Sequence, residues 1–265
     1  MKISIHIHSE YSSDSRQTVS SIIEESRRLG YDTIAITDHN TVAGSLAALE
    51  MKPDDMSVII GAEFSTEKGH ILALFIDDTV EKSCPVKNSR FGAVYDFDAL
   101  TEKVRAQGGL LFLAHPLHSE APRDHSFVAR LDGYELINGR VNSSHNDKKA
   151  RQLGKTLEAA YPDKALIGGS DAHIRPEIKS VFMISEAGRT DLVGLKQALL
   201  NAESICFTKT SMAEIRFHNM RNHRTKHLKY HVRQFAAMLY GLLYDLSNKV
   251  MGASNEVIRI RKETE

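Results

Sequence analysis

Short apolar runs alternate with helical patterns over the first 210 residues, and this alternation constrains the fold more than any other feature of the sequence. The apolar runs predict strands at 2–6, 31–37, 57–62, 70–76, 110–114, 134–138, 165–168 and 181–184. The segments between them predict helices at 18–29, 42–50, 96–107, 144–160 and 191–202, with a longer loop at 77–95. This order predicts an α/β fold with a mainly parallel sheet. The number of strands favours a closed or nearly closed barrel, and an open doubly wound sheet is the structural alternative.

The composition is that of a globular protein and disfavours several functional classes. The 265 residues include 34 Lys plus Arg and 34 Asp plus Glu, so the formal net charge is zero. A protein that coats nucleic acid with its whole surface would usually be basic. Two cysteines, Cys84 and Cys206, exclude a disulfide framework. No stretch reaches the ~18 apolar residues of a membrane span, and the first residues contain no long apolar segment, so we expect a soluble cytoplasmic protein without a membrane partner.

The last part of the chain differs in charge from the rest. We therefore predict a barrel domain at 1–210 and a basic amphipathic helical extension at 211–265, since residues 215–244 contain six Lys or Arg and no acid. Apolar residues at helical spacing predict a helix over 226–250, and they are Leu228, Val232, Phe235, Leu239, Leu242, Leu243 and Leu246. We expect this stripe to be buried against the barrel or in a homodimer formed through the helix, because an exposed stripe invites aggregation.

Histidine and acidic side chains stand at the carboxyl ends of several predicted strands. His6 and His8 lie two residues apart on the first strand, so they point the same way and can bind one ion together. The carboxyl ends of parallel barrel strands meet at one mouth, although His70 opens its strand and needs an antiparallel or bent entry to reach that mouth. The expected metal ligands are His6, His8, Asp14, His39, Glu63, His70, His115, Asp171 and His173.

This mixture of imidazoles and carboxylates suits zinc, manganese or iron better than calcium or magnesium. A single tetrahedral ion takes only four ligands, and the candidate set is much larger. We therefore expect two or three divalent ions as cofactors, with Glu63 bridging two of them.

The motifs that contain these residues resemble those of the PHP family, named for the polymerase and histidinol phosphatase domains, and they occur in the family's order. They are His6-Ile7-His8-Ser9 with Asp14, Ile36-Thr37-Asp38-His39-Asn40, Gly61-Ala62-Glu63, His70, Ala114-His115-Pro116 and Gly169-Ser170-Asp171-Ala172-His173. The resemblance covers about residues 1–207 and implies a distorted (β/α)7 TIM-like barrel with metals at its mouth.

The same resemblance implies how the ligands are shared among the ions. The three implied sets are His6, His8, Glu63 and Asp171 for one ion, Glu63, His70 and His115 for a second, and Asp14, His39 and His173 for a third. Many family members have histidine where Asp14 stands. An aspartate there resembles the branch that acts on nucleotide phosphates and short nucleic acids.

The resemblance implies a metal-dependent phosphoesterase that hydrolyses a nucleotide, a bisphosphonucleotide or a short nucleic acid. A water bridging two divalent ions becomes hydroxide at neutral pH, and the ions hold the attacking and leaving oxygens of a displacement at phosphorus. Arg140 and Asn138 follow a predicted strand and are candidate substrate-binding residues. The guanidinium of Arg140 can hold a phosphate through two hydrogen bonds.

Two alternative functions share the same ligand set. The first is a phosphatase of histidinol phosphate or another phosphorylated small molecule. The second is a metal-stabilised module that binds a partner through its basic tail, and missing ligands would favour it, whereas all nine are present. Serine hydrolysis through Ser170 is disfavoured because the sequence lacks a Gly-x-Ser-x-Gly elbow.

Overall fold

The structure, a computed structural model, has an α/β architecture and describes residues 1–84, 86–89, 92–119, 124–186, 191–222, 228–250 and 255–260. Its strands are β1 (Lys2–Ile7), β2 (Thr33–Ile36), β3 (Ser57–Val58), β4 (Gly61–Thr66), β5 (Gly69–Leu74), β6 (Val86–Ser89), β7 (Gly92–Tyr95), β8 (Leu110–Leu113), β9 (Gly133–Asn138), β10 (Ala165–Gly169), β11 (Val181–Ile184), β12 (Ser204–Phe207) and β13 (Glu256–Arg259). Its helices are α1 (Val19–Arg28), α2 (Ala43–Met51), α3 (Thr79–Ser83), α4 (Phe97–Ala106), α5 (His125–Ala129), α6 (Gly139–Ser143), α7 (Asp147–Ala160), α8 (Leu192–Leu200), α9 (Met212–Asn222) and α10 (Leu228–Val250).

Side-chain caps fix the starts of three of the five helices that the sequence predicted. The hydroxyl of Thr18 accepts a hydrogen bond from a backbone N–H in the first turn of α1. The carboxylates of Asp96 and Asp191 do the same at the starts of α4 and α8. Each cap satisfies a donor that has no partner within its own helix, so the local sequence is sufficient to place these helix starts.

The strands form two mixed sheets. One sheet has the order β13-β12-β11-β1-β2-β3, and the other has the order β10-β9-β8-β5-β4-β7-β6. Two isolated bridges, Ile7 with Ala172 and His39 with Glu63, join the sheets. The predicted closed barrel is thus not confirmed, because the described strands are divided between two separate sheets.

Strand β5 departs from the mainly parallel arrangement, as the position of His70 required. Only two residues separate β4 from β5, and a connection of that length permits only an antiparallel hairpin. Strand β5 is accordingly antiparallel to both β4 and β8. This direction supplies the antiparallel entry that His70 required, since it places the first residues of β5 beside the carboxyl end of β8.

One hydrophobic core lies between the two sheets. Ile3 and Ile5 of β1 belong to the same buried cluster as Leu72 of β5, Phe112 of β8 and Ile167 of β10. Burial of these apolar side chains is the principal force that holds the sheets together. The packing fixes β1, β5, β8 and β10 relative to one another, and it therefore fixes the positions of the residues at their ends.

Two segments differ from the predicted elements. The predicted loop at 77–95 contains α3 and the antiparallel pair β6–β7. The predicted helical extension contains α9 and α10 and also a strand, β13, which pairs antiparallel with β12. The guanidinium of Arg151 donates two hydrogen bonds to the carboxylate of Glu256 and ties this strand to α7.

The apolar stripe of α10 is exposed, so the predicted burial against the barrel is wrong for the described chain. Its exposed members are Val232, Phe235, Leu239, Leu242, Leu243 and Leu246. Of the basic residues of the tail, Arg224 and Lys226 lie outside the described residues. Within the described ranges, no helix is long and apolar enough to cross a membrane.

Candidate metal centre

The nine predicted ligands converge on one place. They fall into four overlapping groups whose ligand atoms lie within 4.8 Å of one another in each group. The groups are His8, Asp14, His39 and His173; His6, His8 and Asp171; His6, Glu63 and His115; and His39, Glu63 and His70. The third implied set, Asp14 with His39 and His173, therefore appears as one group, with His8 added to it.

Glu63 lies at the centre of the cluster, and its side chain is 1% exposed. Its Oε1 atom lies 2.9 Å from His70 Nδ1 and 2.8 Å from His115 Nε2. Its Oε2 atom lies 3.2 Å from the Nε2 atoms of both His6 and His8, and 3.1 Å from His39 Nδ1. The two carboxylate oxygens thus face different groups of imidazoles, which is the arrangement that a bridging ligand requires.

Two aspartates complete the cluster on the other side. The Oδ2 atom of Asp14 lies 2.9 Å from His173 Nε2 and 3.2 Å from His39 Nε2. The Oδ1 atom of Asp171 lies 3.5 Å from His8 Nε2 and 3.7 Å from His6 Nε2. Asp14 is the more open of the two, with 44% of its side chain exposed against 12% for Asp171.

Three ligand positions have left-handed backbone conformations. The φ angles are 60° at His6, 28° at His115 and 51° at Asp171. A non-glycine residue in such a conformation costs about 1–3 kcal/mol and persists only where the surrounding structure enforces it. The pairing of β1 with β2 shifts register between Ser4 and Ile7, so simple strand alternation does not explain how His6 and His8 face the same centre.

Glu135 was not predicted from the sequence as a functional residue, and it orients two of the candidate ligands. It lies on β9 and is 3% exposed, with Oε1 at 2.7 Å from His6 Nδ1. Its Oε2 accepts hydrogen bonds from the backbone N–H of His115 and from Asn138 Nδ2. A Cβ atom at Gly169 would lie 1.7 Å from Glu135 Oε1, so glycine is required there. The sequence signal that could have identified Glu135 is an acidic side chain next to the apolar residues Leu136 and Ile137 of a predicted strand.

The two predicted substrate-binding residues lie in different environments. Asn138 is 2% exposed, and its Oδ1 accepts a hydrogen bond from the N–H of Val141 at the start of α6 while its Nδ2 donates to Glu135. These bonds assign Asn138 to positioning rather than to substrate contact. Arg140 lines the cleft above the cluster, and its Nε donates to Glu177 at 3.0 Å. Its substrate-binding role stays a prediction.

The cleft has a volume of about 420 Å³ and opens above the ligands. Besides Asp14, Glu63 and Asp171, its lining includes Arg140, Val141, His118, His145, Met212, Ile215 and Arg216. The sequence did not predict that Met212, Ile215 and Arg216 line the cleft, because these residues belong to α9 in the extension. The cleft therefore combines an acidic floor with partly basic and partly apolar walls.

Several buried atoms of the cluster fit bound metal ions. Among the residues that the structure describes, the nitrogens His6 Nε2, His8 Nε2 and His39 Nδ1 are buried and have no hydrogen-bond partner, and the same holds for Glu63 Oε2. Buried polar atoms are rarely left without a partner unless an ion or a water satisfies them. Imidazole nitrogens with carboxylate oxygens suit zinc, manganese or iron. The donor set therefore fits the divalent ions that the sequence predicted.

The electrostatics of the metal-free cluster favour protons on His6, His8 and His115, whose pKa values the facing carboxylates raise. Burial would lower the pKa of His8, but the facing carboxylates of Asp171 and Glu63 outweigh it and raise the pKa to about 9. Burial would likewise raise the pKa of Glu63, and the neighbouring imidazoles, His6 first, instead hold that pKa well below its usual range. Protons on the imidazoles and metal ions therefore compete for the same atoms.

We predict that the purified protein binds more than one equivalent of divalent metal and that manganese stabilises it more as pH rises. The raised pKa of His8 stabilises the metal-free fold fully below its unfolded value of 6.5, and this contribution is lost as pH rises through about 9. A metal ion needs the deprotonated imidazole. The increase in Tm caused by manganese should thus be larger at about pH 8.5 than at about pH 6. At most trace metal by elemental analysis, or a larger increase at the lower pH, contradicts this.

We also predict that Glu135→Gln weakens metal binding by about 10- to 100-fold, as expected when a residue that orients a metal-ligating histidine is changed. Calorimetric titration of the metal-free protein with zinc measures the effect. The matched control is Glu158→Gln, because Glu158 is an exposed glutamate on α7. Equal affinities in the wild type and in Glu135→Gln would remove the orienting role from Glu135.

Comparison with solved structures finds proteins with a similar fold. A two-domain protein of Bacteroides vulgatus that contains a predicted PHP-like metal-dependent phosphoesterase is 19% identical, with a TM-score of 0.56 over 76% of this chain. The chain spans 62% of the length of that protein. A lesion-specific endonuclease of Pyrococcus furiosus is 16% identical, with a TM-score of 0.59 over 80% of this chain and 64% of its own. These similarities concern the fold.

Sequence comparisons agree with the structural ones. An uncharacterized protein of Methanocaldococcus jannaschii is 29% identical over 179 residues, which are 61% of this chain and 98% of that protein. The PHP domain model matches residues 4–191, which contain all nine ligands of the cluster. Because that match covers well over half of the sequence, the chain belongs to the PHP domain family.

Proposed function

We propose that the protein is a metal-dependent phosphoesterase that hydrolyses a phosphate ester of a nucleotide, a bisphosphonucleotide or a short nucleic acid. The observation that carries the proposal is the position of Glu63, whose two oxygens face separate groups of imidazoles beneath an open cleft. Membership of the PHP family and the fold shared with phosphoesterase-like proteins support the reaction class. The choice of nucleotides rests on Asp14 and on the cationic side chains of the cleft walls.

Each part of the cluster has a proposed task. Two or three divalent ions, when bound, would activate water and neutralise charge on the phosphate. The residues that would hold them are the six histidines with Asp14, Glu63 and Asp171. Arg140 would bind a phosphate oxygen, because Glu177 fixes its Nε atom while the side chain lines the cleft.

The strands around the candidate metal centre also have a proposed arrangement. We infer that the two sheets approximate the distorted barrel that the family resemblance implies. Two isolated β-bridges support this inference. Ile7 pairs with Ala172, and His39 pairs with Glu63. Both bridges contain candidate ligands or lie next to them. The joining of the sheets and the assembly of the cluster therefore depend on the same hydrogen bonds.

We predict that Glu63→Gln and His115→Ala each lower phosphate release by about 100-fold or more, the scale of removing one preorganised electrostatic group. The assay measures phosphate release from nucleotides, bisphosphonucleotides, oligonucleotides and histidinol phosphate with added manganese or zinc. His125→Ala is the matched control, because His125 is exposed and bonds to Tyr161 away from the cleft.

The same assay separates the alternatives. Release from histidinol phosphate alone would favour the small-molecule phosphatase. Metal binding without release from any substrate would favour the metal-stabilised binding module. Near-wild-type turnover in a folded Glu63→Gln variant would contradict the bridging role of Glu63.

We further propose that a second copy of the chain covers the exposed stripe of α10. Val232, Phe235, Leu239, Leu242 and Leu246 are spaced by three, four, three and four residues, and each is 45% exposed or more. This spacing is the heptad seam along which two helices pack, and it is complementary to itself in a homodimer. The opposite side of α10 packs against α9, where Gly241 closely approaches the backbone of Ala213.

We predict that the wild type is a dimer at micromolar concentration and that the double variant Leu239→Glu, Leu242→Glu is a monomer. Charges directly in the seam would have to be buried unpaired, which opposes association. Light scattering coupled to size exclusion gives the mass. The double variant Leu192→Glu, Val193→Glu, which alters exposed apolar residues on α8, should remain dimeric. A monomeric wild type contradicts the proposal.

A further inference from the structure

Helix α9 forms one wall of the cleft above the metal ligands. Met212, Ile215 and Arg216 of α9 line the same cleft as Asp14, Asp171 and Arg140. The match to the PHP domain ends at residue 191, so this wall comes from a part of the chain that the family model does not cover. The extension therefore contributes directly to the surroundings of the candidate active site.

The wall is held in place by specific hydrogen bonds. The carboxylate of Asp245 on α10 accepts hydrogen bonds from the backbone N–H groups of Met212 and Ala213, each at 3.0 Å, and from the hydroxyl of Ser211 at 2.8 Å. These bonds satisfy free donors at the start of α9 and place a negative charge near the positive end of the helix dipole. Helix α9 thus begins at a fixed point relative to α10.

Two further hydrogen bonds attach α9 and α10 to the edge of the cleft. The N–H of Thr210, just before α9, donates to the hydroxyl of Ser143 at 2.9 Å. The hydroxyl of Tyr244 on α10 donates to the carbonyl of Ser144 at 3.0 Å. Ser144 itself lines the cleft, so both helices are anchored at its edge. A side chain on the first turns of α9 is accordingly held at a defined place in the wall.

Arg216 is a cation on this wall, and its donors bind no residue in the part of the chain that the structure describes. It is partly exposed. Arg140, by contrast, has its Nε atom paired with Glu177. Apolar side chains also line this cleft, namely Val141, Met212 and Ile215. The cleft therefore offers a second cation and apolar surface besides Arg140 and the metal ligands.

We propose that Arg216 forms a second anion subsite, which selects substrates that carry another anionic group besides the phosphate bound at the metal centre. This inference rests on the proposed phosphoesterase function and adds a determinant of substrate choice to it. The apolar side chains would contact the organic part of the substrate between its two anionic groups. A planar guanidinium with free donors can bind such a group through two hydrogen bonds.

The test compares adenosine 5′-phosphate with adenosine 3′,5′-bisphosphate, which differ by one phosphate. Arg216→Gln should lower the ratio of kcat/KM for the bisphosphate to that for the monophosphate by about 10- to 100-fold, the scale of a hydrogen bond to a charged group. The loss should appear in KM rather than in kcat. Arg216→Lys should retain part of the preference, since it keeps the charge without the fork.

Two other variants give the comparison its controls. Arg233→Gln removes an exposed arginine from α10 outside the cleft lining and should leave the ratio unchanged. Arg140→Lys should weaken the binding of both substrates to a similar extent, because Arg140 is proposed to bind the phosphate at the metal centre. An unchanged ratio in Arg216→Gln overturns the second subsite.

A binding measurement distinguishes failure of the subsite from failure of the proposed function. If the metal-loaded wild type releases no phosphate from either nucleotide or from the other substrates, the phosphoesterase function is overturned. Calorimetry with the bisphosphate then still tests the subsite in the wild type and in Arg216→Gln. A weaker Kd in the variant supports the subsite, whereas equal Kd values or no binding to the wild type overturn it.

Discussion

The buried carboxylate of Glu63 is the constraint on which the rest of the structure depends. Removing such a charge from water costs several kcal/mol unless partners compensate for it. Here five imidazole nitrogens lie within 3.2 Å of its two oxygens. These imidazoles come from the ends of β1, β2, β5 and β8, so the sheets must bring those ends together before Glu63 can be buried at acceptable cost.

A supporting layer beneath the ligands maintains this arrangement. His6, His115 and Asp171 have left-handed conformations that would be unfavourable in isolation. Glu135 accepts a hydrogen bond from the backbone of His115 and contacts the ring of His6, and the missing side chain of Gly169 makes room for it. The backbone strain of the ligand positions is thus offset by buried hydrogen bonds on β9.

The extension connects the cluster to a part of the chain that the family model does not cover. Asp245 fixes the start of α9, β13 joins the sheet that contains β1, and the Arg151–Glu256 pair ties β13 to α7. Because the extension is bound at several separate places, α9 is positioned as part of the cleft wall. The walls that face a substrate therefore come from both the family core and the added helices.

The sequence by itself determined most of the helices and strands before residue 210, the α/β class and the choice of nine candidate ligands, because helical periodicity, capping residues and polar groups at strand ends are local signals. Only the tertiary structure decided the division into two sheets, the orienting role of Glu135 and the place of Arg216 in the cleft. Each of these depends on segments far apart in the chain, such as Gly169 beside Glu135 or Asp245 at the start of α9. No local pattern encodes such approaches, since they arise only when the packed core fixes the distances between elements.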